Sequence, residues 1–424
     1  MSRRFFERRF GEFPFDWETA KLKNICEVIA DGTHFSPKSK EGPYKYVTSK
    51  NIRFGKIDFT DVAYISEEEH EGIYKGCPVQ KGDLLITKDG ANTGNAAINP
   101  VFEPFSLLSS VAMIRAKKKL SSNEYLLQFI LSPLGQSLIQ AEMAGQAITR
   151  ITLTKIGNFE LFFPPLPEQR KIAEILSTWD EAIAKTEQLI VALQTHKKGL
   201  MQRLLSGEVR FEGFVKSDEI QETRFGVIPA DWEMKKVSRF SKVNSDALGN
   251  EGSGKDFFYV ELSAVNKGQI PFPSEAISYD NLPSRARRIP RKHDVIMATV
   301  RPNLLGYATW DNELPDHLVS TGFALISPKS PTDKDFIYQS LYGDVIQRQI
   351  HGLVTGSNYP AINATEVKKL YLCWPKNPDE RKKIGEVFRA INDEIGLHEK
   401  KLAALQQQKK GLMQRLLTGQ VRVA

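Results

Sequence analysis

From Ile172 onward, apolar side chains return in alternating steps of four and three: Ile172, Leu176, Trp179, Ile183, Thr186, Ile190, Leu193, Lys197, Leu200 and Leu204. A second series runs Ile384, Phe388, Ile391, Ile395, His398, Leu402, Leu405, Lys409, Leu412 and Leu416. Eight of the ten positions in each series are apolar, and the polar exceptions occupy the same two places. A 3.5-residue repeat sustained this long predicts a coiled-coil seam rather than a helix lying on a globular core. Pro167 and Pro378 stand at the expected starts, and Ser206-Gly207 and Thr418-Gly419 at the expected stops. At 1.5 Å rise per residue, each helix forms a rod of roughly 55 Å. One such rod would leave its seam wet, and the obvious partner within the chain is the other copy. The pattern leaves parallel and antiparallel pairing open.

The helices belong to a larger duplication. "KKGLMQRLLSGEVRF" at 197–211 returns as "KKGLMQRLLTGQVRV" at 409–423, and "EQRKIAEIL" returns as "ERKKIGEVF", both at an offset of 212. "RRFGEFPFDWE" at 8–18 returns as "TRFGVIPADWE" at 223–233, and "FELFFPP" at 159–165 resembles "KLYLCWP" at 369–375. Each half thus reads Phe-Gly, Pro, Trp-Glu, then a mixed interior, then a strand ending in proline, then a long helix. The ends of the halves agree and the interiors have diverged. Short apolar runs such as "GDLLIT" (82–87), "SSVAMIR" (109–115), "HDVIMATV" (293–300) and "GFALIS" (322–327) predict strands in those interiors. Segments 123–145 and 334–352 read as equivalent helices. The expected architecture is mixed α/β with a pseudo-twofold internal repeat. Its parts are a first mixed α/β domain at 1–166, a first long helical region at 167–212, a second mixed domain at 213–377 and a second long helical region at 378–424.

Composition narrows the class. The chain has 424 residues, 41% hydrophobic and 26% charged, with a formal net charge of +7, values typical of a folded globular protein with more than one core. The charge surplus is too small to argue for nucleic acid without a distribution. Three scattered cysteines, Cys26, Cys77 and Cys373, argue against a disulfide scaffold and a cysteine-built zinc site. No apolar run approaches the roughly 20 residues that span a bilayer. "MSRRFFERRF" has the look of a twin-arginine signal but continues without an apolar region. A cytoplasmic protein is expected.

Catalytic motifs are sparse. "GNEGSGKD" at 249–256 has the spacing of a phosphate-binding loop, but Asp256 replaces the magnesium-binding hydroxyl and a strand-like run follows. No dinucleotide fingerprint follows a strand, and the seven histidines show no ligand spacing. Asp231, Glu233 and Lys235 are crowded into the repeated Trp-Glu motif, where a structural corner is the better reading. No metal and no catalytic residue is expected. The interiors offer better candidates for nucleic-acid contact. In the first, Thr33, His34, Lys50, Lys88, Asn92, Thr93 and Arg150 lie on Gly-bearing loops between strands. In the second, Arg285, Arg287 and Arg288 form a cluster with Arg291 and Lys292, and Arg301, Asn303, Ser357, Asn358 and Tyr359 add further donors. Such loops reach phosphates through backbone N–H groups, and guanidinium forks suit both phosphate and guanine.

Taken with "PPLPEQRKIAEIL", the repeated Phe-Gly, Pro, Trp-Glu openings and the "KKGLMQRLLSGEVRF" endings make the whole chain resemble the specificity subunit of type I restriction-modification enzymes. The resemblance implies two target recognition domains, each reading one half of a split, asymmetric sequence in double-stranded DNA, with the helices pairing as an antiparallel coiled coil. It implies as partners two modification (methyltransferase) subunits and restriction (endonuclease/translocase) subunits. S-adenosylmethionine, ATP and Mg would then belong to those partners and not to this chain. The competing expectations are a stand-alone DNA-binding regulator and a coiled-coil scaffold. Half-sites read in the major groove on one face of B-DNA would lie about one turn, roughly 34 Å, apart, a separation that a rod of this length could set.

Overall fold

The computed structural model describes residues 12–143, 150–265, 268–354 and 360–423. The chain folds as two units, residues 1–187 with 400–424, and residues 188–399. Both boundaries fall inside the long helices, Leu166–Leu204 and Pro378–Leu417. Each unit therefore combines a mixed α/β region with part of each helix, whereas the sequence divides these into separate domains and spacers.

In the first unit the strands are β1 (Glu18–Lys21), β2 (Cys26–Asp31), β3 (Tyr44–Val47), β4 (Ala63–Ile65), β5 (Leu84–Thr87), β6 (Ala96–Ile98), β7 (Ser106–Leu107), β8 (Val111–Ala116) and β9 (Glu160–Phe163). They form a four-stranded sheet in the order β2-β8-β5-β6, a three-stranded sheet β4-β3-β7 and a pair β1-β9. In the second unit, β10 (Ile220–Thr223) and β11 (Gly226–Pro229) form a hairpin. There follow β12 (Trp232–Lys236), β13 (Ser241–Val243), β14 (Asp256–Val260), β15 (Ile277–Ser278), β16 (Ala286–Arg288), β17 (Asp294–Ala298), β18 (Tyr307–Trp310), β19 (His317–Ser320), β20 (Phe323–Pro328) and β21 (Tyr371–Pro375). Their orders are β13-β20-β17-β18, β15-β14-β19-β16 and β12-β21. Strands β3 and β7 pair in parallel in the first unit, as β14 and β19 do in the second.

The continuous apolar runs in β5, β8, β17 and β20 have a simple cause: both faces of each four-stranded sheet are covered. In β5, Leu84 and Ile86 pack into the core shared with the helices, and Leu85 into the core beneath the small sheet. In β17, Val295 and Met297 take the helical side, and Ile296 and Ala298 the other. The turn entering each strand is the same. Asp83 Oδ2 accepts from Gln80 N at 2.7 Å and Asp294 Oδ2 from Arg291 N at 2.9 Å. The residue before each aspartate is left-handed, Gly82 with φ 89° and His293 with φ 74°.

Two predicted helices are each broken in two. Residues 123–143 form Asn123–Leu131 and Pro133–Met143. Pro133 disfavours helical backbone at Ser132, whose hydroxyl instead accepts from Gly135 N at 3.0 Å. Residues 144–145 lie outside the described residues. The second helix divides into Lys334–Ser340 and Asp344–Leu353, separated at Gly343 with ψ 150°. The "GNEGSGKD" stretch forms a 3-10 turn, Asn250–Gly252, followed by β14, not a strand-to-helix phosphate loop.

The repeated ends meet crosswise. In the first unit, Glu168 accepts from Trp17 Nε1 at 3.0 Å and from Arg422 Nε at 2.7 Å, while Arg422 Nη1 donates to Asp16 at 2.8 Å. In the second, Glu380 accepts from Trp232 Nε1 at 3.2 Å and from Arg210 Nε at 2.7 Å, while Arg210 Nη1 donates to Asp231 at 2.8 Å. The tail of one repeat thus closes on the Trp-Glu corner of the other. Close approach explains the glycines in "SGE" and "TGQ": both have positive φ, and a Cβ on Gly207 or Gly419 would come within 2.6 or 2.3 Å of Pro229 or Pro14.

Glu380 is 1% exposed, and removing its carboxylate would strand the Arg210 guanidinium, whose side chain is 5% exposed. We expect Glu380→Ala to destabilise the protein by about 3–5 kcal/mol. Arg422, with 44% of its side chain exposed, should cost less when changed to alanine. Chemical denaturation compares the two, and a larger loss for Arg422→Ala would contradict this ranking.

Candidate nucleic-acid interface

In the first unit, five loop segments are stitched around the ends of β2, β5 and β8. Ser109 N donates to Thr33 O at 2.8 Å, Lys88 N to Ser110 O at 2.9 Å, and Ile151 N to Lys88 O at 2.8 Å. Ser49 N donates to Ser110 Oγ at 3.2 Å, and Asn92 Nδ2 to Ser49 O at 3.5 Å. The network gathers Thr33, His34, Lys50, Lys88, Asn92, Thr93 and Arg150 from stretches far apart in sequence. Their side chains are used differently. Thr33 Oγ1 accepts from Phe35 N at 3.1 Å, and Thr93 Oγ1 donates to Gly90 O at 2.7 Å. His34 is exposed beside Asp31, Lys50 is exposed beside Asp61, and Arg150 pairs through Nε with Asp89 at 3.1 Å.

Lys88 is placed differently from the exposed Lys50 and His34 of these loops. A lysine in a Gly-rich loop is expected to reach outward, but this one is 2% exposed and lies 3.2 Å from Asp31 and 3.3 Å from Asp89. Its ammonium is spent on those carboxylates and does not face solvent.

In the second unit, Thr321 N donates to Arg285 O at 2.8 Å, Thr299 N to Gly322 O at 2.8 Å, Ile362 N to Thr299 O at 2.9 Å and Arg301 N to Pro360 O at 2.7 Å. Arg285, Arg301 and Asn303 are exposed, and Arg301 holds a left-handed backbone with φ 50° before the turn Pro302–Leu304. Asn303 borders a cleft of about 900 Å³ shared with Gln347, Arg348 and His351. The arginine cluster does not act as one patch. Arg287 lies 5.9 Å over the Tyr279 ring, while Arg291 pairs with Asp246 and Lys292 with Glu313. Arg288 is half-buried on β16, its Nε has no hydrogen-bond partner, and burial pushes its guanidinium pKa down. Ser357, Asn358 and Tyr359 lie outside the described residues.

Sequence reasoning missed Asp31 and Asp89, which join the first loop set through Lys88, although each directly precedes a glycine. Arg348 and His351 stand one turn apart on the helix Asp344–Leu353, and Phe35 and Leu304 are 82% and 63% exposed.

Along the long helices, Ile172, Leu176, Ile190 and Leu204 are buried, and Trp179, Ile183, Leu193 and Leu200 half-buried. Ile384, Phe388, Ile395 and Leu416 are buried, and Ile391, Leu402, Leu405 and Leu412 half-buried. The polar seam lysines differ: Lys409 pairs with Asp180, whereas Lys197 lies 5.7 Å over the Tyr342 ring and burial lowers its pKa. Among the described residues no helix is long and apolar enough to cross a membrane, and no group of three His, Cys, Asp or Glu side chains could hold a metal.

A family model described as the type I restriction modification DNA specificity domain matches residues 14–195. The type I restriction enzyme MjaVIII specificity subunit of Methanocaldococcus jannaschii is 25% identical, over 97% of this chain and 94% of its own. The MjaIX specificity subunit of the same organism is 23% identical, over 99% and 96%. The crystal structure of a type I restriction-modification S subunit from M. genitalium shares the fold, with a TM-score of 0.61 at 15% identity over 96% of both chains. A chain from a type I R-M system, solved to explain complex assembly and conformational transition, gives 0.53 at 16% identity, over 97% and 100%.

Burying a charge without a partner costs free energy, and an apolar side chain in its place removes that cost. Arg288→Leu should therefore leave stability unchanged or raise it. Chemical denaturation checks the sign, and a clear loss of stability would contradict it.

Proposed function

We propose that this chain, which belongs to the type I restriction-modification specificity subunits, reads a split, asymmetric DNA target with one half-site per unit. As a specificity subunit it is the DNA sequence-recognition component of its system and not the catalytic one. The observation that carries the bipartite reading is the recurrence of one strand order, β2-β8-β5-β6 and β13-β20-β17-β18, beneath loop sets with unlike chemistry. Lys88, Asp31, Asp89 and Arg150 stand in one. Thr299, Arg285, Arg301 and Asn303 stand in the other. A frame with identical readers would favour a palindrome, and unlike readers favour two unrelated half-sites.

The helices supply the spacing in this reading. In the first unit, contacts run from Glu168 with Arg422 to Asp180 with Lys409, so one helix rises in number as the other falls. In the second, Leu204 and Leu205 share a core with Ile384 and Phe388, and Arg210 meets Glu380. Both sets support antiparallel pairing of the two helices as a coiled coil. Two modification subunits, binding S-adenosylmethionine, would dock on this frame, and restriction subunits using ATP and Mg would join them.

Mapping methylated adenines in a genome that carries this chain and its modification subunits should return a motif of two different half-sites with a fixed gap. A continuous or palindromic motif would overturn the proposal. Deleting residues 185–191 and 397–403 together shortens each helix by about 10 Å. The gap should then shrink by about three base pairs with both half-sites unchanged. Altered half-sites at an unchanged gap would rule out the helices as the spacing element.

A further inference from the structure

We infer that Lys88 is a positioning residue for the first half-site: a buried cation that fixes three DNA-facing loops without touching DNA. This rests on the reading that the first unit recognises a half-site. The ammonium lies 3.2 Å from Asp31 Oδ2, at the mouth of the 31–37 loop, and 3.3 Å from Asp89 Oδ2, within the 87–95 loop. The Asp89 carboxylate also holds Arg150 Nε at 3.1 Å, and the Lys88 carbonyl accepts from Ile151 N at 2.8 Å. Lys88 is 2% exposed, while the Asp31 and Asp89 side chains are 13% and 26% exposed.

Two carboxylates this close to one another repel unless a cation stands between them, and with little water present they are poorly screened. Without the ammonium, the 31–37 and 87–95 loops lose the charge that draws them together, and Arg150 loses a fixed anchor. The second unit places a different group at the corresponding backbone position. Thr299 N donates to Gly322 O and Thr299 O accepts from Ile362 N, as Lys88 does with Ser110 and Ile151. The Thr299 hydroxyl simply donates to Gly322 O at 2.8 Å. A buried ion network organises one loop set and a neutral hydrogen bond the other, so perturbing Lys88 should be felt at one half-site only.

The test uses the full chain assembled with its modification subunits, competed with duplexes altered at one half-site at a time and titrated with salt. For Lys88→Met, discrimination at the first half-site should fall by about tenfold or more, with the second half-site and the log–log salt slope unchanged. Adding Asp31→Asn to Lys88→Met, which removes one of the repelling charges, should recover part of that loss. A slope flattened by about 0.9 with discrimination intact would make Lys88 a phosphate contact and overturn the inference, as would an equal loss at both half-sites. Asp31→Asn alone, which keeps the cation and should fold, is expected to give a smaller loss confined to the first half-site; no change there would also overturn it. Wild-type complex without any sequence preference would instead refute the DNA-reading function itself.

Discussion

A carboxylate removed from water must be matched by donors, and in each unit that requirement is met by groups from both repeats. Glu380, 1% exposed, receives an indole N–H from its own repeat and a guanidinium from the other. Glu168, 6% exposed, is treated in the same way by Trp17 and Arg422. Such a pair contributes little net stability over an apolar substitute of the same shape, because desolvation offsets most of the attraction. Its value is geometric. A planar guanidinium held by two carboxylates accepts few alternatives, so each tail has one place to lie. The helix registers and the sheets packed against them follow from that fixed point.

The sheets answer a second constraint. A loop set that presents polar groups to a ligand needs rigid strands beneath it, and a four-stranded sheet covered on both faces provides them. This is why β5, β8, β17 and β20 can be almost wholly apolar while the chain leaving them is rich in Thr, Asn, Asp and Gly. The aspartate turn before β5 and β17 survives in both units even though glycine occupies its left-handed position in one and histidine in the other.

Much of the frame was legible in the sequence because its signals are local and periodic. The alternating steps from Ile172 and Ile384 marked the helices, and the repeated Trp-Glu and Ser-Gly or Thr-Gly motifs marked the duplication. What those motifs bind was not legible. Arg210 meets Glu380 across 170 positions, and Arg422 meets Glu168 across 254, separations that carry no pattern. The break at Ser132 was hidden because both helical pieces bury apolar faces and the periodicity runs through the proline. The loop residues were the least legible. Lys88 and Lys50 look alike in a row of letters, yet one is enclosed by carboxylates and the other is exposed beside Asp61. Burial of a loop side chain is decided by segments far away, here residues 31 and 110.

The crossed tails also impose an order of events during synthesis. The second unit needs Arg210 and Glu380, and both have been made by the first turn of its last helix. The first unit holds Glu168 without its guanidinium until residue 422 is added, long after the last of its strands, β9. The first unit therefore closes only after the whole of the second, residues 188–399, has been synthesised, a departure from the usual N-to-C completion of domains. The first-made reader is the last to be locked.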